Sequence, residues 1–150
     1  MRKNFTFIRD INEIENELNN SFAGVLTLRL KDGKNYQLAT NFIYLDKNIF
    51  IVLNKEDEKY ESIKFNHYGQ FLVYNAQLTD NSEYSYEIKY ISIIGEIREL
   101  DDPKQIEQVK EKFFKKFSKE TNVSNYLIPS NLVLCILDSK EIQFIIENGK

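Results

Sequence analysis

Alternating and continuous apolar runs predict three strands and a short helix in the first half of the chain. The three strands are predicted at residues 24–30, 36–44 and 49–53. Turns with the sequences Asp-Gly and Asp-Lys-Asn join them, and such turns favour antiparallel hairpins. Asp57 is a predicted N-cap for the short helix, which ends near Asn66. This half of the chain is therefore predicted to be mainly β.

The second half continues the same pattern with longer strands. Strands are predicted at residues 70–75, 84–100, 132–137 and 141–146. The connections between them are a polar loop at 78–83, a loop at 121–131 and a turn at 138–140. Gly95 lies within the longest predicted strand, which indicates a β-bulge or a barrel corner at that residue.

Two further segments have the apolar spacing of helices. Asp10 is a predicted N-cap, and Ile11, Ile14 and Leu18 follow at helical intervals. A second helix begins at Asp102-Pro103, with Gln105 as the partner of the cap. Its core-facing residues are predicted to be Ile106, Val109, Phe113, Phe114 and Phe117.

These elements predict a mainly β fold, a six- or seven-stranded antiparallel split barrel with peripheral helices. Closure, complete or nearly so, is the usual way for such a sheet to remove its exposed edges. The 150 residues contain no repeat, linker or low-complexity segment. One domain covering residues 1–150 is therefore expected.

Charge and composition exclude several classes of partner. The net charge of −3 gives no global attraction for nucleic acid or an acidic membrane. No apolar run reaches the roughly 18 residues that span a bilayer, and the N-terminus has no apolar signal segment. One cysteine excludes an internal disulfide. A cytoplasmic protein with no nucleic-acid or membrane partner is therefore expected.

Most recognisable catalytic motifs are absent from the sequence. One His and one Cys are too few for a zinc site, so no metal is expected. Cys135 lies in an apolar strand and is predicted to be an inert buried thiol, while His67 is predicted to be an ordinary surface residue. No glycine-rich phosphate loop of the Rossmann or P-loop type occurs. The lysines of residues 110–119 are predicted to form a solvated helix face.

Four local features carry a resemblance to a known family. They are residues 23–28, the turn Asp32-Gly33-Lys34 leading to 40–44, the strand 49–51 with Lys59-x-x-x-Ile63-x-x-Asn66, and residues 90–97 followed by Asp101-Asp102-Pro103. In this order they resemble the flavin-binding split barrel of the pyridoxamine 5'-phosphate oxidase-like superfamily. The general-stress and nitroimidazole-resistance branches are the most similar. True pyridoxamine phosphate oxidases carry an Arg- and Trp-containing tail that is absent here, so that reaction is not expected.

The resemblance implies a homodimer that binds FMN, or less often haem or a deazaflavin, in grooves at the dimer interface. It also implies electron or hydride transfer through the flavin to a small molecule, which the sequence does not identify. The alternative is a non-catalytic split-barrel protein that has lost flavin and binds haem, another ligand or a protein partner. No side chain is assigned a catalytic role.

The resemblance also implies which residues contact the cofactor. Lys59 is expected to contact the FMN phosphate, and a cation near a helix start suits that role. Thr40, Asn41 and Phe42 are expected to line the isoalloxazine ring. Asn54 matches a position beside the phosphate, and Lys34 matches a basic residue of the first hairpin. A solvated lysine, a half-buried strand and ordinary turns remain alternative explanations for these residues.

Overall fold

A computed structural model describes residues 2–80, 85–118 and 129–149. Eight strands and three helices form in this part of the chain. In chain order they are β1 (Lys3–Ile8), α1 (Ile11–Asn19), β2 (Ala23–Arg29), β3 (Asn35–Asn41), β4 (Ile43–Leu45), β5 (Asn48–Asn54), α2 (Glu58–Phe65), β6 (Tyr68–Asp80), β7 (Ser85–Glu99), α3 (Pro103–Phe117) and β8 (Leu132–Gly149).

All eight strands belong to one antiparallel sheet. Their spatial order is β3-β2-β6-β7-β8-β5-β4, and β1 pairs with β8 beside β5. The predicted mainly β split-barrel architecture is confirmed, but the strand count of six or seven is wrong. Among the described strands the sheet does not close, because β3 and β4 lie at its two ends.

The N-terminal strand β1 was not predicted from the sequence. It pairs with the last six residues of β8, from Lys3 opposite Gly149 to Ile8 opposite Phe144. Phe5 and Phe7 are both more than half exposed on its outer face. Because only Ile8 packs against the core, the short segment has no strong buried pattern, and its pairing depends on the distant strand β8.

The predicted strand at residues 36–44 is wrong as a single element. It divides at Phe42 into β3, which pairs with β2, and β4, which pairs with β5. Since β3 and β4 lie at opposite ends of the strand order, the chain changes partners at Phe42. Local alternation continues through this point, so it cannot show the change of partner.

The predicted turn at residues 138–140 is also wrong, because β8 runs through it without a break. The register shifts here: Ile94 is opposite Glu141 and Gly95 is opposite Ser139, which leaves Lys140 as the extra residue. The irregularity predicted at Gly95 is therefore a β-bulge. A Cβ at Gly95 would overlap the carbonyl group of Asp138, so only glycine fits this close approach.

Strand β6 is longer than predicted. Its pairing with β7 extends from Tyr68 opposite Glu96 to Asp80 opposite Ser85. The loop predicted at 78–83 is therefore wrong at residues 78–80, and residues 81–83 lie outside the described residues. Most of the other predicted loop, residues 121–128, also lies outside them.

Two hydrophobic clusters form the core. The larger one packs α1 and α2 against the inner face of the sheet, where Leu26, Phe71, Ile91 and Ile93 are almost completely buried. The smaller one lies beneath α3 and consists of Ile43, Phe50, Leu100, Val109, Phe113, Leu134 and Ile136. The predicted apolar face of α3 is confirmed at Val109, Phe113 and Phe114, which are buried; Ile106 packs at the edge and Phe117 is partly exposed.

The three predicted helix caps are confirmed. The carboxylates of Asp10, Asp57 and Asp102 each accept a hydrogen bond from the backbone N–H two residues later, at 2.9–3.1 Å. These bonds satisfy amide groups that would otherwise lack partners at the start of each helix. No helix in the described residues has the length and apolar character needed to cross a membrane.

Candidate functional site

Lys59 lies in the first turn of α2 and connects that helix to β3. Its Nζ is 2.8 Å from Oδ2 of Asp57 and 4.6 Å from the centre of the Tyr36 ring. Its backbone N–H donates to Oδ1 of the same carboxylate. The side chain of Lys59 is 18% exposed, so the ammonium group is partly buried between an acid and an aromatic face.

This contact shifts the pKa values of both partners in the direction expected for an ion pair. The hydrogen bonds from Lys59 lower the pKa of Asp57. The hydrogen bond to Asp57 raises the pKa of Lys59, although burial opposes that change. Lys59 is therefore charged at neutral pH, and Asp57 already compensates much of its charge.

Asn54 ends β5 shortly before α2, and Lys34 lies in the turn that leads into β3. The side chain of Asn54 accepts from the backbone N–H of Glu56 at 2.9 Å, which shapes the connection between β5 and α2. Lys34 follows Gly33 in the β2–β3 turn, where Gly33 has φ 89°. The backbone N–H of Lys34 donates to Asp32, and its side chain is exposed. Both turns therefore have a local explanation.

Thr40 and Asn41 lie near the end of β3 and point to opposite faces. Thr40 is opposite Gly24, and its hydroxyl donates to the carbonyl of Asn41 at 3.1 Å. Since side chains alternate along a strand, Tyr36 and Thr40 share one face and are about 14 Å apart along β3. Of the described strands only β2 is hydrogen-bonded to β3, so the other edge of β3 presents unpaired backbone groups.

Phe42 lies in the core between the two ends of the sheet. Its side chain is fully buried, and its ring meets the ring of Phe71 edge-on at 5.1 Å between centroids. The structure thus groups Lys59 with Tyr36 and places Thr40 on the same strand face. It places Asn54 at the end of β5, Lys34 just before β3, Asn41 on the opposite face of β3 and Phe42 in the interior.

Sequence reasoning missed Tyr36 and Lys116. Tyr36 was recognisable only as an aromatic residue at the start of a strand. Lys116 belongs to the lysine-rich helix α3 but folds inward: its Nζ donates to the carbonyl of Phe42 at 3.1 Å and lies 4.2 Å from the centre of that ring. The solvated face predicted for this helix is therefore wrong at Lys116, since Phe42 lies 74 residues earlier and only the fold brings them together.

Cys135 and His67 show no catalytic arrangement. Cys135 is completely buried, and burial raises the pKa of its thiol to about 12, as expected for an inert thiol. His67 is exposed, and its carbonyl accepts from the backbone N–H of Ile97. Among the described residues no three His, Cys, Asp or Glu side chains converge as metal ligands would.

Comparison with known proteins shows likeness in structure only. No protein-family model matches the sequence, and no curated protein matches it. Among solved structures, a proposed 5-nitroimidazole antibiotic resistance protein from Bacteroides thetaiotaomicron is 13% identical; the match covers 100% of this chain and 93% of that chain with a TM-score of 0.80. The fold is that of the pyridoxamine 5'-phosphate oxidase-like split barrels.

Two further split barrels differ in what they bind. An FAD-binding protein from Mesorhizobium loti is 15% identical and covers 100% of both chains with a TM-score of 0.63. The haem storage protein HutZ from Vibrio cholerae is 11% identical and covers 90% of this chain and 94% of that chain, with a TM-score of 0.67. The split-barrel fold is therefore shared by proteins with different ligands.

Proposed function

We propose that this protein is a flavin-binding split-barrel protein that holds FMN and transfers electrons to a small molecule. The observation that carries the proposal is the contact of Lys59 with Tyr36 of β3, a strand with one edge that no other described strand pairs with. The likeness to an FAD-binding structure supports a flavin. The chemistry itself would come from the flavin ring.

The residues present fit a flavin with one strong phosphate contact. Lys59 would hold the phosphate at the start of α2, and Asn54 would adjoin it. Thr40 and the edge of β3 that no described strand covers would hydrogen-bond the polar edge of the flavin ring. Asn41 and Phe42 would belong to the same ring-lining segment. Lys34 would adjoin the other end of the strand. One contact opposes phosphate binding at Lys59. The carboxylate of Asp57 already pairs with the Lys59 ammonium group and would compete with the phosphate for it.

We also propose that the protein is a cytoplasmic homodimer with the cofactor groove at its interface. Phe5, Phe7 and Tyr74 are each more than half exposed on the outer face of the sheet, and Leu72 is also exposed there. Apolar side chains on one sheet face suit contact with another protein surface. A second copy would cover them and complete the groove.

The second candidate function is haem binding without a redox role for flavin. The likeness to the haem storage protein HutZ favours it. The structure offers His67 as an exposed imidazole between α2 and β6. This candidate predicts a Soret band on adding haem and no retention of flavin.

The test is to titrate FMN, FAD and riboflavin separately with the purified protein and to measure binding from the change in flavin fluorescence. Riboflavin lacks the phosphate, so the difference between FMN and riboflavin measures the phosphate contact. Wild-type protein should bind FMN more tightly than riboflavin. In Lys59→Met that preference should fall by roughly 10- to 100-fold, the range for one charge-assisted hydrogen bond.

Two further variants locate the site. Lys64→Met is the matched control, because Lys64 lies on the same helix over the ring of Tyr60 and should leave FMN affinity unchanged. Asp57→Asn keeps a good helix cap and removes the competing carboxylate, so FMN should bind up to about 10-fold more tightly. Tight FMN binding that is indifferent to Lys59→Met would show that the site is misplaced. Loss of all three flavins on gel filtration would refute flavin binding.

A further inference from the structure

A cleft of about 710 Å³ is lined by Lys116, the side chain that folds onto Phe42. The cleft is bounded by the end of α1 at Asn19, by the β4–β5 turn at Leu45 and Asp46, and by α3 at Lys112 and Lys116. None of the residues that line it belongs to the Lys59 group. A ligand here would therefore be held independently of the proposed flavin.

Lys116 is the unusual side chain of this cleft. Its Nζ donates to the carbonyl of Phe42 at 3.1 Å and lies over the ring of that residue, 4.2 Å from its centre. It forms no ion pair with the described residues. Lys115 lies on the same helix turn and differs sharply, because it is 67% exposed and its Nζ is 2.8 Å from Glu111. A neutral Lys116 amine would keep its hydrogen bond and still have its nitrogen lone pair available.

The surroundings of Lys116 make this neutral form more accessible than it is in an ordinary lysine. Burial lowers its pKa to about 8, and the charge of Lys112 one turn away acts in the same direction. Asp46 on the β4–β5 turn, and Glu111 and Lys115 on α3, also line the cleft, while α1 contributes the uncharged Asn19. Glu111 is engaged by Lys115, so it does not compensate Lys116. Desolvation beside a second cation is a recognised way to activate a lysine.

We propose that Lys116 is a nucleophilic amine that forms an imine with a small aldehyde held in this cleft. The nitrogen lone pair adds to the carbonyl carbon, and a proton moves from nitrogen to the oxygen. The resulting carbinolamine then loses water to give the imine, so no oxidant or reductant is consumed. Hydrolysis reverses the step. Lys112 supplies a cation on the cleft wall for the charge that develops on the carbonyl oxygen.

The experiment treats the full-length protein with propanal and cyanoborohydride, which reduces an imine to a stable secondary amine. Mass spectrometry of proteolytic peptides then gives the labelling rate of each lysine. At pH 7 a pKa of about 8 leaves a neutral fraction roughly 300-fold larger than the ordinary value of 10.5 does. Because a less basic amine is also less nucleophilic, Lys116 should react on the order of 10-fold faster than Lys115.

Variants separate this reactivity from a purely structural role. Lys116→Arg keeps a donor for Phe42 and should lose the adduct while its thermal unfolding stays near that of wild type. Lys115→Arg should leave labelling of Lys116 unchanged. Lys112→Glu replaces the repelling cation with an anion and should slow labelling of Lys116 by about 3- to 10-fold at pH 7. Equal labelling of Lys115 and Lys116, or a Lys116 that reacts more slowly than Lys115, would overturn the proposal.

Discussion

Two lysines of this protein occupy similar positions and acquire opposite properties. Both lie over an aromatic ring: Lys59 is 4.6 Å from the centre of Tyr36, and Lys116 is 4.2 Å from the centre of Phe42. Lys59 has a carboxylate at 2.8 Å, and its pKa is raised. Lys116 has a backbone carbonyl instead of a carboxylate, and burial together with the charge of Lys112 lowers its pKa to about 8.

The difference shows that the aromatic ring does not decide the chemistry of either lysine. A ring face favours a cation by about 0.5–2 kcal/mol, yet the pKa of Lys116 is lowered beside its ring, so burial and the charge of Lys112 outweigh that attraction. The nearby charge and the extent of burial therefore dominate. Lys59 is suited to remain charged and contact an anion, while Lys116 loses its proton at a lower pH than an ordinary lysine does.

The largest expected effect on stability comes from truncating the aromatic rings that the two lysines contact. Phe42→Ala should lower the free energy of unfolding by about 3–5 kcal/mol, because Phe42 is fully buried against Phe71 and the truncation leaves a cavity. Tyr36→Ala should cost about 1 kcal/mol or less, because Tyr36 is 39% exposed. Urea unfolding of both variants measures the difference. Equal losses would show that the two lysine environments are equally buried.

A smaller effect should appear in the pH dependence of stability. The folded state lowers the pKa of Lys116, so it disfavours the charged form. That penalty is present in full below pH 8 and disappears above about 10.5, where both folded and unfolded states are neutral. Because solvent screens this partly buried amine, wild-type stability relative to Lys116→Met should rise by roughly 1–2 kcal/mol between pH 7 and pH 11.

The comparison with Lys116→Met cancels the contributions of other groups whose titration changes stability in the same pH range. Burial raises the pKa of Cys135 to about 12, and burial together with Glu15 raises that of Tyr44 to about 12. Those groups destabilise the folded state as the pH rises, but they do so equally in both proteins. Chemical denaturation at several pH values gives the difference directly. A difference that is flat with pH would mean that Lys116 has an ordinary pKa.

The sequence predicted the helices and the hairpins because their signals are local. Each helix begins directly after its cap residue, Asp10, Asp57 or Asp102. The capping hydrogen bond needs only a backbone N–H two residues later in the sequence. The failures occur where a distant strand decides the result. The break at Phe42 depends on the change of partner from β2 to β5, and the bulge at Lys140 depends on Gly95.

The candidate site divides in the same way. Lys59 was expected from the family resemblance, with its place near a helix start suiting the role, and its partner Asp57 was predicted only as a cap. That Asp57 also pairs with the ammonium group of Lys59 depends on side-chain geometry that spacing does not contain. Lys116 was one of several lysines on a polar helix, and nothing local distinguished it from Lys115. Its contact with Phe42 exists only in the folded chain.

The smallest effect on stability should follow from removing the carboxylate of Asp57, which raises the pKa of Lys59 and has no counterpart beside Lys116 among the described residues. Asp57→Asn keeps an N-cap side chain, so the loss in unfolding free energy should be below about 1 kcal/mol, as for other partly exposed ion pairs. The pKa of Lys59 should nevertheless fall, because its main stabilising partner is gone and burial remains. NMR titration of the lysine side-chain signals measures this change. If the pKa of Lys59 stays raised in Asp57→Asn, the ring of Tyr36 contributes more than the carboxylate, and the contrast between the two lysines has a different origin.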